Sequence, residues 1–451
     1  MTTPICDFVA EYVKKNYSRF HMPGHKGRDF LGFERYDITE IDGADVLYSA
    51  DGIIKQSEEN ASFLFDSRCT CYTTEGASHL IRTMISAVSL LATSKGATRP
   101  LILAARNVHK SFIYACASAD VQVEWIYPRN FTHYCQCLIT DVDLEKAIES
   151  CPTLPDAVYI TSPDYLGNIA DISSISRVCR KHGILLLVDN AHGAYLNFTK
   201  ESCHPLKAGA DVCCDSAHKT LPVITGGAYL HFGHDCPENY IRAAQKMLPV
   251  YATTSPSYLI LQSLDLCNNY IEKDYPARLQ ETIDKIKELK TKISSLGFYV
   301  ENTEPLKIVV NICKSGYTQK NFTKLLDENK IAIEMCDNEY AVFMISPEND
   351  NSDFEKLQRF FETLPTITSN FSHEQEVINT PICHKTALPI RQAVFAESIS
   401  IPVSDSIGKI CASPVIACPP AVPIVISGEI ILPEDVLLMK RYNINYIDVI
   451  K

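Results

Sequence analysis

Between residues 58 and 265 the chain alternates short apolar runs with longer amphipathic stretches. The apolar runs contain few polar positions, which is typical of strands that are buried on both faces of a sheet. The stretches between them carry apolar residues at helical spacing, as in 77–92 and 171–182. This alternation predicts an α/β fold with a mostly parallel sheet covered by helices. The predicted strands are 101–105, 121–126, 157–161, 184–188 and 227–232.

The pattern divides the chain into four predicted parts. Residues 1–57 are mostly polar, contain the loops HMPGHKG and DITEIDGADVLYSADG, and are predicted to form an N-terminal arm; residues 58–270 form the large domain. Residues 271–366 are predicted to be a smaller α/β domain, because a charged helical stretch over 271–295 precedes the strand-like runs KIVVNI and AVFMIS and a further helix. The polar segment NFSHEQEVINT is a predicted linker within the last part, a C-terminal domain over 367–451.

Composition excludes several classes of protein. A chain of 451 residues is too long to fold around one small hydrophobic core, so two or three domains are expected. The net charge of −12 and the lack of Lys/Arg runs argue against nucleic-acid binding. The longest apolar candidate for a membrane span is interrupted by Pro419, Pro420 and Pro423, so no membrane association is expected. The first residues lack a signal-peptide pattern, and a cytoplasmic protein is therefore expected.

The chain has 18 cysteines, several of them close together. None of the close pairs has the CxxC spacing that is typical of zinc sites, and reduced thiols are usual in the cytoplasm. The cysteines are therefore interpreted as free thiols, and no metal site is expected.

Two predicted strands end in residues with reactive side chains. In a parallel sheet, ligands bind beyond the carboxyl ends of the strands. The strand GILLLV runs into Asp189, which either faces that crevice or caps the following helix. The segment DVCCDSAHKT places Lys219 after another short strand, where an amine of lowered pKa forms an imine with an aldehyde. Lysines are more often solvated surface residues, but Ser216, His218 and Thr220 supply donors for a phosphate beside this one.

A third strand end precedes the segment TTEGASHLIRTMISAV. Gly76, Ala77 and Ser78 open an amphipathic helix there, and the free N–H groups of a helix start favour a phosphate. Ordinary helix starts look the same, so this signal is weak alone. Together, a strand-end lysine, a strand-end aspartate and a phosphate-ready helix match pyridoxal phosphate, whose pyridine nitrogen a carboxylate keeps protonated.

Five motifs in order resemble the short, Gram-positive-type branch of the ornithine/lysine/arginine decarboxylases: HMPGHKG, ARNVHKS, VDNAHGAYL, DSAHKTLP and TTSPSYL. The resemblance covers nearly the whole chain. It implies the fold type I, or aspartate-aminotransferase-like, architecture of pyridoxal-phosphate enzymes. It also implies pyridoxal 5′-phosphate as cofactor, and a homodimer or higher homo-oligomer with shared active sites.

The resemblance implies roles for individual residues. Lys219 would hold the cofactor as a Schiff base, and Asp189 would pair with the pyridinium nitrogen. His109 would stack on one face of the cofactor ring, with Ala191 supporting the other face. The other implied cofactor contacts are the phosphate-binding Ala77, Ser78, Ser216 and His218, the neighbouring His192, and Ser255 or Ser257 reaching the cofactor of the adjacent subunit. The HMPGHKG arm is expected near the active site, with no catalytic role assigned to it.

Several positions depart from the family pattern. Gly226 and Gly227 occupy positions where the family usually has Gln and a small hydroxyl residue. Leu166 replaces the Asp of a Tyr-Asp-Gly motif, and Glu75 replaces an Asn of the phosphate loop. Tyr48 ends an arm motif that is usually acidic and contains His. The cofactor residues are retained and the substrate pocket is altered, so cofactor binding is expected while the substrate is left open.

The resulting hypothesis is decarboxylation of a basic amino acid to its amine and CO2, as in polyamine biosynthesis. Arginine, lysine and ornithine all carry a distal cation that calls for carboxylates, and Glu40, Asp42 and Asp45 in the arm are candidate partners. The alternatives are another pyridoxal-phosphate reaction on the same fold, such as transamination or side-chain lysis, and a cofactor-binding protein without turnover. The donor of the proton to Cα is left open between Lys219 and a neighbouring group.

Overall fold

The computed structural model describes residues 1–129, 133–365, 382–417 and 421–451. The predicted linker NFSHEQEVINT, with Pro419 and Pro420, lies outside the described residues. The helices are α1 (Pro4–Lys14), α2 (Ile53–Phe65), α3 (Gly76–Ser94), α4 (Lys110–Ala119), α5 (Asp141–Ser150), α6 (Ile172–His182), α7 (Ala217–Thr220), α8 (Glu238–Met247), α9 (Tyr258–Lys273), α10 (Tyr275–Ser295), α11 (Gln319–Glu328), α12 (Asn351–Thr363), α13 (Ile390–Val394) and α14 (Pro433–Arg441). The strands are β1 (Cys69–Thr73), β2 (Leu101–Ala105), β3 (Gln122–Ile126), β4 (Ala157–Thr161), β5 (Leu185–Asp189), β6 (Val212–Asp215), β7 (Ala228–Phe232), β8 (Tyr299–Val300), β9 (Lys307–Asn311), β10 (Met335–Cys336), β11 (Tyr340–Met344), β12 (Ser398–Pro402), β13 (Val415–Ile416), β14 (Pro423–Val425) and β15 (Tyr446–Ile450).

Seven strands form the main sheet, in the order β1-β7-β6-β5-β4-β2-β3. The pairs from β3 to β6 are all parallel, whereas β7 runs antiparallel to both of its neighbours. Apolar clusters cover both faces of the sheet, one formed with α3, α4 and α8 and the other with α5 and α6. The prediction of a mostly parallel α/β sheet is therefore confirmed.

The predicted strands agree with the observed ones to within one residue at each end. Strand β1 was predicted only as a strand end before TTEGASH and without bounds, because CTCYT contains polar hydroxyl residues and lacks the apolar run that marks the others. The stretch 271–295, predicted to be helical, is helical except at Asp274, because α9 ends at Lys273 and α10 begins at Tyr275. Pro276 explains this break, since proline is accommodated in the first turn of a helix and interrupts a helix interior.

The sheet topology brings separate loops to one edge. Strands β1, β2, β5 and β6 point the same way, so the residues that follow them meet at their carboxyl ends. Those residues include Gly76, His109, Asp189 and Lys219. The fold therefore collects at one edge the side chains that the sequence placed at separate strand ends.

A second, antiparallel sheet has the order β10-β11-β9-β8, and apolar residues of α10, α11 and α12 share a cluster with it. The C-terminal elements pair as β12–β15 and β13–β14. They are tied to the main sheet by Arg106, whose guanidinium donates to the carbonyl oxygens of Pro423 and Ile424. At the other end of the chain, α1 fully buries Ile5 and Val9 in the first cluster. Across the described ranges no helix is long and apolar enough to cross a membrane.

Candidate active site

Lys219 lies in the short helix α7, which directly follows β6. Its Nζ atom donates a hydrogen bond to Nε2 of His192 at 3.0 Å. The side chain is open to solvent from the strand-end crevice, yet surrounding protein desolvates the amine. This desolvation lowers the pKa of Lys219, and the negative charge of Asp189 partly offsets the shift. A lowered pKa increases the fraction of neutral amine, which is the form that attacks an aldehyde.

Asp189 is the last residue of β5 and is almost completely buried. Its carboxylate accepts hydrogen bonds from the Tyr159 hydroxyl and the Ala191 N–H, each at 3.2 Å. It does not cap a helix, because the next helical segment has Gly193 at its N-cap. Within the described residues no Lys, Arg or His lies in ion-pairing distance of this carboxylate. Desolvation raises the pKa of Asp189, and the charge of Lys219 acts in the opposite direction.

His109 is the N-cap residue of α4. Its Nδ1 atom accepts a hydrogen bond from the Ser111 N–H at 3.2 Å, so the neutral ring carries its proton on Nε2. Desolvation, followed by the charges of Lys219 and Lys110, lowers the pKa of His109 to about 4. The ring is therefore neutral at pH 7. Ser111 extends the link, because its hydroxyl donates to Ser78 at 2.8 Å.

The start of α3 and the loop before β7 form the predicted phosphate end of the crevice. Gly76 donates its N–H to Gly226 O at 2.7 Å, and the His218 ring, through Nδ1, donates to Gly227 O at 3.1 Å. The next N–H groups of α3, those of Ala77 and Ser78, belong to the first turn and have no carbonyl partner within the helix. Ser216 is the nearly buried N-cap residue of α7, and its side chain makes no capping bond. The predicted phosphate ligands therefore lie along connected loops.

The two departing glycines are required by the backbone. Gly226 has a φ of +105°, and an added Cβ would lie 2.6 Å from the carbonyl oxygen of Thr74. A Cβ on Gly227 would lie 2.3 Å from Val223 Cγ1. This loop approaches the start of α3 so closely that larger residues do not fit in the observed conformation.

The remaining predicted contacts have different surroundings. His192 is buried, and burial together with the charge of Lys219 lowers its pKa well below the usual value. Ala191 follows Asp189 directly and is partly buried. Ser255 is exposed, whereas Ser257 precedes α9 without a side-chain capping bond. The loop that contains them begins beside α3 of its own chain, because Thr253 N donates to Glu75 at 2.6 Å.

Three further positions of the altered pocket have packing or capping roles. Leu166 is buried in an apolar cluster with Val309 and Met335 of the second sheet. Tyr48 packs edge-on against His79, with ring centroids 5.6 Å apart. Asp45 accepts the N–H groups of five residues, among them those at the start of α2. Asp45 was wrong as a candidate for binding the substrate cation, because backbone hydrogen bonds occupy both of its carboxylate oxygens.

A buried charged cluster next to the site was not found from the sequence. Asp215 precedes Ser216, and its Oδ2 atom lies 2.9 Å from His204 Nε2 and 3.4 Å from His231 Nε2. Its Oδ1 atom accepts from Asn190 Nδ2 at 2.7 Å. Burial alone would raise the pKa of Asp215, but the two histidines lower it far below the usual value. Asp215, His204 and His231 are three potential metal ligands. The search of the sequence for closely spaced cysteines could not find them, because they come from β6, a loop and β7.

The fold and the site define a fold type I pyridoxal-phosphate enzyme. The side chains fit this cofactor, because Asp189 is a buried carboxylate without a cation and a pyridinium N–H would supply one. Lys219, at the adjacent strand end, offers an amine of lowered pKa. The family model described as Orn/Lys/Arg decarboxylase, major domain, matches residues 3–314. The chain belongs to this family, and its cofactor is pyridoxal phosphate.

Individual relatives agree with this assignment over nearly the full length. The chain is 27% identical to the arginine decarboxylase of Bacillus subtilis, over 96% of this chain and 92% of that protein. It is 30% identical to the uncharacterized protein YaaO of Bacillus subtilis, over 98% of this chain and 94% of that protein. The lysine decarboxylase LdcF of Francisella novicida superposes with a TM-score of 0.80 at 17% identity, covering 100% of this chain and 81% of that one. This last similarity concerns the fold alone.

Proposed function

We propose that this protein decarboxylates a basic amino acid, arginine, lysine or ornithine, to its amine and CO2. The observation that carries the proposal is the convergence of Lys219, Asp189 and His109 at one sheet edge in a member of this family. The names of the relatives, arginine decarboxylase and lysine decarboxylase, support a basic substrate and leave the choice among the three open. Formation of a diamine or agmatine-type product would place the reaction in polyamine biosynthesis.

When bound, pyridoxal phosphate supplies an aldehyde that takes up amines and a ring that withdraws electrons from Cα. Asp189 holds a proton on the pyridine nitrogen. A carboxylate in this buried position interacts strongly with a cation, because little water screens the pair. The Tyr159 hydroxyl and the Ala191 N–H fix the carboxylate from the other side.

Lys219 would hold the cofactor through its amine. His192 accepts the hydrogen bond of this amine and would keep it at the site whenever it is not bound to the cofactor. In that position Lys219 can return a proton to Cα after CO2 has left. This assigns to Lys219 the role of proton donor, in preference to a neighbouring group.

His109, neutral at pH 7, would stack on one face of the ring and Ala191 would support the other. The first turn of α3, through Ala77 and Ser78, would bind the phosphate together with Ser216 and His218. His218 already donates through Nδ1 to Gly227, so it donates to the phosphate through Nε2 only as an imidazolium. The phosphate dianion favours that protonated form.

The test is product analysis by amine chromatography and CO2 release, with arginine, lysine and ornithine in turn and with added pyridoxal phosphate. One matching amine in stoichiometric yield with CO2 is expected. An oxo acid formed without CO2 would instead identify an aminotransferase. Cofactor binding without any product from the three amino acids would contradict the proposal and favour a binding protein or another lyase.

We extend the proposal to the assembly, a cytoplasmic homodimer or higher homo-oligomer with shared active sites. The proposal includes the division of the chain into an N-terminal arm, a large domain, a small α/β domain and a C-terminal domain over 1–57, 58–270, 271–366 and 367–451. Ser255 or Ser257 would reach the phosphate in the neighbouring subunit, which is supported by the exposure of Ser255 and the unused hydroxyl of Ser257 at the start of α9. Co-expression of Lys219→Ala with a Ser255→Ala, Ser257→Ala double variant should restore activity, because a mixed dimer keeps one intact site. A fully active monomer in sedimentation would contradict the sharing.

A further inference from the structure

Tyr165 and Glu334 form a wall beside Lys219 to which the sequence assigned no role. Tyr165 follows β4, and Glu334 directly precedes β10 in the second sheet. The Tyr165 hydroxyl donates to Glu334 Oε1 at 2.6 Å, a short, charge-assisted hydrogen bond. The backbone of Glu334 is fixed as well, because its N–H donates to Val342 O at 3.1 Å. Hydrogen bonds therefore fix both the backbone and the carboxylate of Glu334.

Consecutive contacts connect this wall to the reactive amine. The Tyr165 ring packs edge-on against the His192 ring, with centroids 5.4 Å apart, and His192 accepts the hydrogen bond from Lys219. Burial lowers the pKa of Lys219, and the negative charges of Asp189 and Glu334 both counteract that shift. Glu334 is therefore connected to Lys219 through two side chains, those of Tyr165 and His192, and its charge acts on the Lys219 amine.

The charge of Glu334 is available to a ligand. Its carboxylate is exposed, and across the described residues it forms no ion pair with Lys, Arg or His. Lys307 is a buried cation whose Nζ lies 5.8 Å from the centroid of the Tyr165 ring, but it pairs with Glu304 at 2.8 Å. An acid oriented by a tyrosine and left without a cation attracts a cationic group, whereas it would repel a substrate with an acidic side chain.

The geometry points to Glu334, oriented by Tyr165, as the group that binds the distal cation of the substrate. This inference rests on the proposed decarboxylation of a basic amino acid. An extended lysine or arginine side chain carries its charge about 6 Å beyond Cα, and the α-amine of the substrate takes the position of the Lys219 amine. A carboxylate two side chains away from that amine is within the reach of such a substrate. Tyr165 acts as a positioning residue.

The experiment compares Glu334→Gln and Tyr165→Phe with Asp353→Asn. Asp353 is a matched control, because it is an exposed acid that borders the same cavity of about 320 Å³ as Glu334 and accepts a hydrogen bond from Asn349 at 3.0 Å. For each holoenzyme, KM is measured for the basic amino acid that the wild type decarboxylates. Binding of that amino acid and of norleucine, an uncharged analogue, is followed through the visible absorbance of the cofactor.

Glu334→Gln should raise KM for the basic amino acid at least about tenfold, because a charged hydrogen bond is lost, with norleucine binding and the cofactor spectrum unchanged. Tyr165→Phe should raise KM by a smaller factor, and Asp353→Asn should leave it unchanged. An unchanged KM in Glu334→Gln, or an equal rise in Asp353→Asn, would overturn the inference and leave the proposed function intact. A wild-type enzyme without activity on any basic amino acid would overturn both.

Discussion

Asp189 and Asp215 end two neighbouring strands and are about equally buried, yet their pKa values are displaced in opposite directions. Asp215 belongs to a closed cluster in which His204, His231 and Asn190 satisfy its charge. Asp189 accepts hydrogen bonds from three neutral donors, the Tyr159 hydroxyl, the Ala191 N–H and the Cys214 thiol, and has no ion-pairing cation among the residues that the structure describes. The comparison teaches that strong pKa displacement alone does not mark a functional site. A buried carboxylate that lies beside an open crevice and has no cation partner is a more specific sign of a functional site.

The largest expected effect is at the open site. Lys219→Ala should abolish both turnover and the visible absorbance of the bound cofactor, because no other amine replaces Nζ at the end of β6. Lys246→Ala, which changes an exposed lysine on α8, serves as the control and should change neither. Borohydride reduction and peptide mapping of the wild type should find the cofactor on Lys219, and a label on another lysine would refute the assignment.

Asp189→Asn should reduce kcat by about 100- to 1,000-fold while the cofactor remains bound to Lys219. A neutral amide no longer keeps the ring nitrogen protonated, and losses of this size are typical when a preorganised electrostatic partner is removed. Kinetics, visible spectra and thermal melting are measured on the same preparation. Near-normal kcat would mean that the ring nitrogen has another partner.

Asp215→Asn should lower the stability of the fold and leave the catalytic rate nearly unchanged. Losing a hydrogen bond to a buried charged group typically costs about 1.5–3 kcal/mol, and here His204, which lies 2.9 Å from the Asp215 carboxylate, and His231, at 3.4 Å, would both lose it. The melting temperature should fall clearly, while kcat well below the transition should stay within a few-fold of the wild type. A normal melting temperature combined with the kinetic loss expected of Asp189→Asn would invalidate the distinction between closed and open clusters.

The smallest expected effect is a loss of folding stability at acid pH. The pKa of His109 is about 4 in the folded chain against 6.5 for an ordinary histidine, so the unfolded chain binds more protons between these values. Stability should be fully present above pH 6.5 and should decline as the pH falls toward 4, by at most about 1.4 kcal/mol per pH unit from this residue. His109→Gln should flatten this decline in cofactor-free protein, whereas His234→Gln, at an exposed position, should not. Equal slopes in both variants would contradict the burial argument.

The sequence predicted the parallel strands well because each is a short apolar run, as in LILAA and AVYIT. It also predicted Lys219 and Asp189, since residues at the carboxyl ends of parallel strands must meet at one edge, whereas His109 was predicted only through the resemblance to the decarboxylase family. Their chemical roles stay predictions. Glu334 and the Asp215 cluster could not be predicted in the same way. Their neighbours come from another sheet or from the antiparallel strand β7, and the pattern of one segment does not specify which distant segment packs against it.

The close approach of Gly226 to the Thr74 carbonyl has a consequence for engineering the pocket. At a φ of +105° and with 2.6 Å for an added Cβ, the Gln that the family usually carries there cannot be restored by one substitution without moving the loop. Because this loop also accepts the N–H of Gly76, moving it would disturb the helix start that is predicted to hold the phosphate. Redesign of the pocket should therefore exchange the whole loop at once, together with the residues around the start of α3 that it contacts.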